Sequence, residues 1–385
     1  MASLKDLTAG VREARRLVVK VGSALLVDVL GGGIRQPWFD SLIDDLVALH
    51  RQGAALLVVS SGAVALGAEV MAERAGRQNL VQSQAAAAVG QIRLAHAWQA
   101  GLARHGLSAA QILLTIEDTE TRRRYLNARG TIGALLAAGA VPVINENDSV
   151  ATGEIRYGDN DRLAARVAAM IEADCLLILS DVAGLFSADP ASDANARLIT
   201  EVAAITPETE RIAGRPKPSG PGSGGMITKV AAARIATAAG CGVAIIGGAD
   251  RNPVSRYLDS GTGTWFAPAA QPVAGARKKW IGASLSATGG LIVDDGAVAA
   301  LRHGSSLLAA GIGAVSGEFE KADTVRVLDT GGAVIATGMV SYSAREVAAI
   351  RGLQSDELAA KLGYRGPDEV IHRDNLVLAA KTTAP

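Results

Sequence analysis

Along the first part of the chain, short uninterrupted apolar runs alternate with longer stretches in which apolar residues return every third or fourth position. Leu17–Val21 and Ala54–Val59 read as strands, with further strands predicted near 109–114, 140–145, 175–180 and 243–247. Between them, Asp40–Arg51 carries Leu42, Ile43, Leu46, Val47 and Leu49 on one side, the pattern of an amphipathic helix. Helices are also predicted over Arg162–Glu172 and 227–239. Strands that are apolar throughout are buried on both faces. The alternation therefore implies an α/β fold, an open and mainly parallel sheet sandwiched by helices, over residues 16–270. Residues 1–15 are polar and mixed in charge, a short helix or a frayed arm.

The texture changes near Pro268 and Pro272. Residues 271–286 read as a linker that contains the basic knot Arg277-Lys278-Lys279-Trp280. Short strands follow at Gly290–Val293, Thr324–Leu328 and Val334–Val340, with a helix near 295–303 and a helical stretch over 343–362. These make a small β-rich domain over 287–365, followed by a strand and tail over 366–385.

Composition narrows the classes. The 385 residues leave room for one large and one smaller domain, and the formal net charge is zero. Neutrality argues against bulk electrostatic binding of nucleic acid or membrane. Cys175 and Cys241 both sit in apolar runs without zinc or redox spacing, as buried thiols do. The N-terminus lacks a secretory pattern, and no apolar run approaches the roughly 20 residues of a membrane span. A cytoplasmic protein is expected.

The polar chemistry collects where strands end. The apolar run Val141–Ile144 opens into a loop bearing Glu146, Asp148, Glu154, Asp159 and Asp161, with Asn145, Asn147 and Asn160 and only Arg156 to offset them. Such clustered carboxylates need a cation, and ligands bind at strand C-terminal ends in open α/β sheets. Asp161 could be an N-cap, but three acid or amide groups in a row, Asp159-Asn160-Asp161, exceed what one cap needs and favour a site. Lys20, inside an apolar strand before Gly22, suits a phosphate, or else snorkels from an edge strand. Ser61 precedes a helix and could bind an anion or merely cap. Ser180-Asp181 could face a nucleotide or shape a turn. The loop Gly220–Lys229 exposes backbone N–H groups at a helix start, with Lys229 adding a full charge. It is not a Walker A loop, because Val230 follows Lys229, and no apolar strand precedes it as a Rossmann fingerprint requires.

With these loops in order, the chain resembles the amino acid kinase family. The carrying segments are VVKVGS (18–23), SSGAVALG (60–67), AAAAVGQIRL (85–94), LNARGTI (126–132), VPVINENDSV (141–150), GDND (158–161), SDVAGLFSADP (180–190) and GSGGMITK (222–229). The run DDGAVAALRHGSSLLAAGI (294–312) resembles a PUA domain. Two departures stand out: the chain starts earlier than the resemblance leads one to expect, and Arg156 stands where a lysine is common.

The resemblance implies transfer of the ATP γ-phosphoryl group, with Mg²⁺, to the side-chain carboxylate of L-glutamate, the first step of proline biosynthesis. It implies feedback inhibition by L-proline and a homo-oligomer, dimer or tetramer. It places Lys20 and Lys229 on the transferring phosphoryl group and Asp161 between them as organiser. Ser61, Asn145, Asp148 and Asn160 fall at glutamate-binding positions. Lys20, Gly22, Ser180, Asp181, Ser223, Gly224, Gly225, Met226, Ile227, Thr228 and Lys229 fall at ATP-binding positions. It names no protein ligand for a metal. A rival of another class is an RNA-binding protein led by the C-terminal domain, with Arg277, Lys278, Lys279, Arg302, Lys321 and Arg326 on a basic face.

Overall fold

The computed structural model describes residues 4–28, 33–70, 80–150, 159–214, 225–269 and 289–379. The chain divides into two compact units, Met1–Val273 and Ala274–Pro385.

In the first unit the apolar runs form β1 (Arg16–Val21), β2 (Ala55–Ser60), β3 (Ala109–Leu114), β4 (Val141–Glu146), β5 (Cys175–Ser180), β6 (Glu201–Val202), β7 (Gly242–Gly247) and β8 (Gly263–Phe266). They join in one sheet, in the order β3-β4-β2-β1-β5-β7-β8-β6. Every pair is parallel except β7 with β8. β6 and β8 were not foreseen. They are short and lie at one side of the sheet, too brief for a period to show.

The helices are α1 (Leu4–Arg12), α2 (Ser23–Leu26), α3 (Gln36–Arg51), α4 (Ala63–Val70), α5 (Leu80–Ala103), α6 (Ile116–Glu120), α7 (Arg122–Ala137), α8 (Asp159–Met170), α9 (Pro207–Ile212), α10 (Gly225–Ala238) and α11 (Pro253–Ser260). Side chains alternate across a strand, and this sorts the two faces. Leu17, Val19 and Val21 of β1 join Leu56, Val58, Leu177 and Ile246 in a core closed by Trp38, Phe39 and Leu42 of α3, Trp98 of α5 and Val254 of α11. Lys20 has the opposite parity and faces the layer of α8 and α10, whose residues pack on β1, β5 and β7.

The arm at 1–15 is not frayed over its described part. The ring of Trp265 on β8 lies against both Gly10 and Gly242, where added β-carbons would come within 2.1 and 2.2 Å of it. Arg12 donates to the Leu258 carbonyl at 2.7 Å, and the amides of Arg15 and Arg16 donate to Asp174 at 2.9 and 2.8 Å. The arm is therefore sewn to the N-terminal end of the sheet, away from the loops that carry the candidate chemistry.

In the second unit, β9 (Gly289–Val293), β11 (Ile312–Gly317), β12 (Thr324–Leu328), β13 (Val334–Met339) and β15 (Leu376–Leu378) form one sheet in the order β11-β9-β12-β13-β15. β10 (Leu307–Leu308) pairs with β14 (Glu369–Ile371). Helix α12 (Asp295–Arg302) is capped by Asp294, which accepts from the Ala297 amide at 2.7 Å. The helical stretch expected over 343–362 is two helices, α13 (Ala344–Ile350) and α14 (Leu358–Leu362). The break comes where Arg351 turns extended and Gly352 takes φ +78°. The basic knot at 277–279 and the linker lie outside the described residues.

Candidate active site

The polar residues read from the sequence sit at the C-terminal ends of the central parallel strands. Lys20 is the penultimate residue of β1, Asn145 that of β4, Ser180 the last of β5, and Ser61 follows β2 directly. β1 lies between β2 and β5, so the chain winds outward from it in both directions. Ligands in open α/β sheets bind at such a switch point. The edge-strand explanation of Lys20 thereby fails: β1 is paired on both sides and the lysine side chain is only 8% exposed.

Asp161 draws the charges together. It is the third residue of α8, not its N-cap, and its side chain is 1% exposed. Lys20 Nζ lies 2.5 Å from Asp161 Oδ1, and Lys229 Nζ lies 3.5 Å from Asp161 Oδ2. Thr228 Oγ1 donates to the same Oδ2 at 2.8 Å. Burial alone would push the Asp161 carboxyl up. The two lysines, with the Lys20 and Thr228 hydrogen bonds, overcome it and hold the group down at about 2. Burial lowers the Lys20 pKa, and Lys229 adds to this; Asp161 and Asp181 oppose it. Two ammonium groups thus share one carboxylate in a nearly dry setting, leaving one formal positive charge for an anion to neutralise.

Beside this cluster runs a chain of amides. Asn160, next to Asp161 on α8, donates to Ser61 Oγ at 2.8 Å and to Asn145 Oδ1 at 3.0 Å. Its own oxygen accepts from the Glu146 amide at 3.3 Å. Asn145, 2% exposed, donates in turn to Gln91 Oε1 at 2.8 Å. Gln91 lies on α5 and escaped the reading of the sequence as a site residue. Its signal was its place in AAAAVGQIRL (85–94), a segment that carries the family resemblance, as a polar residue following Gly90 in an alanine-rich run.

The remaining candidates are less tightly joined. Asp148 lies half-buried in the turn after β4. Ser180 Oγ donates to Asp181 Oδ1 at 3.2 Å and accepts from the Val182 amide. Asp181 is close enough to act on Lys20 electrostatically. A β-carbon on Gly22 would lie 3.7 Å from Lys20 Nζ, so the lysine head group passes beside bare backbone. Gly225 opens α10 with φ +59°, a conformation that favours glycine, and Met226, Ile227, Thr228 and Lys229 form the first turns. Ser223, Gly224, Glu154 and Arg156 lie outside the described residues. Among the described residues no group of three or more His, Cys, Asp or Glu is placed to hold a metal ion.

Comparison with known proteins places this arrangement. The model of the amino acid kinase family matches residues 15–247, and that of the PUA domain matches 289–362. The chain is 54% identical to a glutamate 5-kinase of Paramagnetospirillum magneticum, over 95% of this chain and 98% of the relative. It is 52% identical to glutamate 5-kinase 1 of Rhizobium meliloti, over 96% of this chain and 93% of the relative. A glutamate 5-kinase of Allorhizobium ampelinum is also 52% identical, over 97% and 95%. With a mainly parallel sheet whose strand ends carry the lysine–aspartate cluster and a β-rich second unit, the chain belongs to the amino acid kinase family, in its glutamate 5-kinase branch.

Proposed function

We propose that the protein transfers the γ-phosphoryl group of ATP to the side-chain carboxylate of L-glutamate, giving ADP and L-glutamyl 5-phosphate. On this reading it opens proline biosynthesis in the cytoplasm, is inhibited by L-proline and works as a homo-oligomer. The observation that carries the chemistry is the pair of buried lysines on one buried carboxylate, with a net charge of +1 at the sheet's switch point.

A glutamate carboxylate oxygen attacks the γ-phosphorus in line. The new O–P bond forms as the bond to the β-phosphate oxygen breaks, and ADP leaves with that electron pair. The nucleophile is ionised at neutral pH, so no general base is needed. The barrier lies in bringing an anion to a polyanion. Catalysis then rests on positioning and on fixed positive charge. Lys20 and Lys229 supply that charge, and Asp161 keeps both in place. Backbone near Gly22 and the start of α10 face the phosphates, with Ser180 and Asp181 on the nucleotide side. Mg²⁺ would be held largely by phosphate oxygens and water. Ser61, Asn145 and Asn160 hold the acceptor, and Asp148 suits its α-ammonium group.

The test is ADP release with ATP and Mg²⁺, comparing L-glutamate, N-acetyl-L-glutamate, L-aspartate and no acceptor. Hydroxylamine traps any acyl phosphate as its hydroxamate. Turnover with free glutamate alone, with hydroxamate formed, is the expected result. Turnover with another acceptor only would keep the phosphate site and overturn the substrate.

A further inference from the structure

We propose that Gln91 is a positioning residue for the acceptor site, acting through Asn145 to hold in place the amide chain that ends at the Ser61 hydroxyl. The inference rests on the reading of Ser61, Asn145 and Asn160 as the acceptor-binding side.

The hydrogen-bond inventory gives the direction. A primary amide has two N–H hydrogens and an acceptor oxygen. Asn160 commits both hydrogens, one to Ser61 Oγ and one to Asn145 Oδ1. Asn145 must therefore present its oxygen to Asn160 and its nitrogen to the other side, where Gln91 Oε1 receives it at 2.8 Å. The direction is set at Asn160, whose oxygen accepts from the Glu146 amide, and Gln91 closes the chain: remove its acceptor, and Asn145, buried at 2% exposure, is left with an N–H that has lost its partner. An Asn145 that shifts to pair that N–H elsewhere would loosen its bond to Asn160 and, through it, the hold on Ser61. At the far end, Ser61 Oγ is occupied as an acceptor by Asn160. Among the described residues its own proton has no protein acceptor. The chain thus delivers an O–H donor, fit for a carboxylate, and Gln91 anchors its buried end.

The fold secures both ends. Ser61 leads into α4 and Gln91 sits on α5. These helices cross in backbone contact: a β-carbon on Gly67 would lie 1.7 Å from the Ala86 carbonyl oxygen, and one on Gly90 would lie 1.8 Å from that of Ala63. Gly90 is Gln91's neighbour, so the crossing that fixes the depth of α5 also fixes the reach of its glutamine.

The experiment is a double-mutant cycle on the full-length enzyme, with Gln91→Ala, Asn145→Ala and both together. Gln91→Met is added because it keeps the side chain's length without its acceptor oxygen. Acceptor KM, ATP KM and kcat are measured for each. Gln91→Ala and Gln91→Met should both raise the acceptor KM about tenfold, with ATP KM unchanged within about twofold. In the Asn145→Ala background the Gln91 change should add nothing. If the two effects multiply instead, Gln91 does not act through Asn145 and the proposal falls. It falls also if acceptor KM is unmoved, if Met restores it, or if both KM values shift together. The acceptor is whichever compound the wild-type enzyme turns over. Should that not be glutamate, the substrate assignment fails separately, and the same cycle still decides the role of Gln91.

Discussion

Replacing Asp161 by Asn removes the one negative charge from a buried cluster of three. The carboxyl is held from its ordinary 3.8 down at about 2, which at about 1.4 kcal/mol per pH unit is worth roughly 2 kcal/mol of folding free energy. A group depressed in the folded state contributes this above pH 3.8 and loses it as pH falls through about 2. Asn forfeits it at every pH and leaves Lys20 and Lys229 facing each other. Breaking a buried pair by deleting one partner costs about 3–5 kcal/mol. Lys20 can escape part of that cost by releasing its proton, since burial already lowers its pKa and Asp161 was the main opposing influence. Its folded pKa would then lie further below the unfolded 10.5. Between the two values the unfolded chain binds more protons, so stability rises with pH. The Asp161→Asn variant should therefore be less stable than wild type by about 3 kcal/mol at pH 7, with the gap narrowing toward pH 10. The assay is urea unfolding at several pH values, followed through the buried Trp38 and Trp98, with kcat measured in parallel. Turnover should fall by about 10²–10³, because the lysines are no longer held on the phosphoryl group. Equal stability at pH 7, or a gap that widens with pH, would refute the electrostatic account of the cluster.

Other outcomes follow from the same geometry. Lys20→Ala and Lys229→Ala should each cut kcat by about 10²–10³ while circular dichroism shows a folded protein. Asp148→Ala should raise the glutamate KM and leave kcat nearly unchanged, because the α-ammonium contact is already made in the ground state; an unmoved KM would remove Asp148 from the acceptor side. Gly90→Ala places a methyl 1.8 Å from the Ala63 carbonyl oxygen and should cost about 1–3 kcal/mol of stability by overpacking, with acceptor KM rising more than ATP KM.

Much of the frame was legible in the order of residues. Apolar runs such as Cys175–Leu179 announce strands buried on both faces, because no other short element conceals every side chain. The period within Asp40–Arg51 announces a helix with one inward face. Lys20, Asn145 and Ser180 could be placed at strand ends because a polar group inside an apolar strand is costly anywhere else. These are local matters, settled by neighbours in the chain. Which strands lie side by side is not. The choice that puts β1 between β2 and β5 is made by closure of one core, and it separates a buried cluster lysine from a snorkelling edge lysine. A cap remained an alternative for Asp161, because its partners Lys20 and Lys229 are remote in sequence and meet it only when α8 and α10 pack on one face of the sheet. Gln91 lay in a segment that carries the resemblance but was not singled out, for the same reason: its acceptor oxygen matters only because two glycines let α4 and α5 cross in backbone contact. Local pattern specifies which elements form and which side of each is apolar. Which charges and amides face one another was decided only by long-range packing, since a hydrogen bond needs atoms brought within about 3 Å.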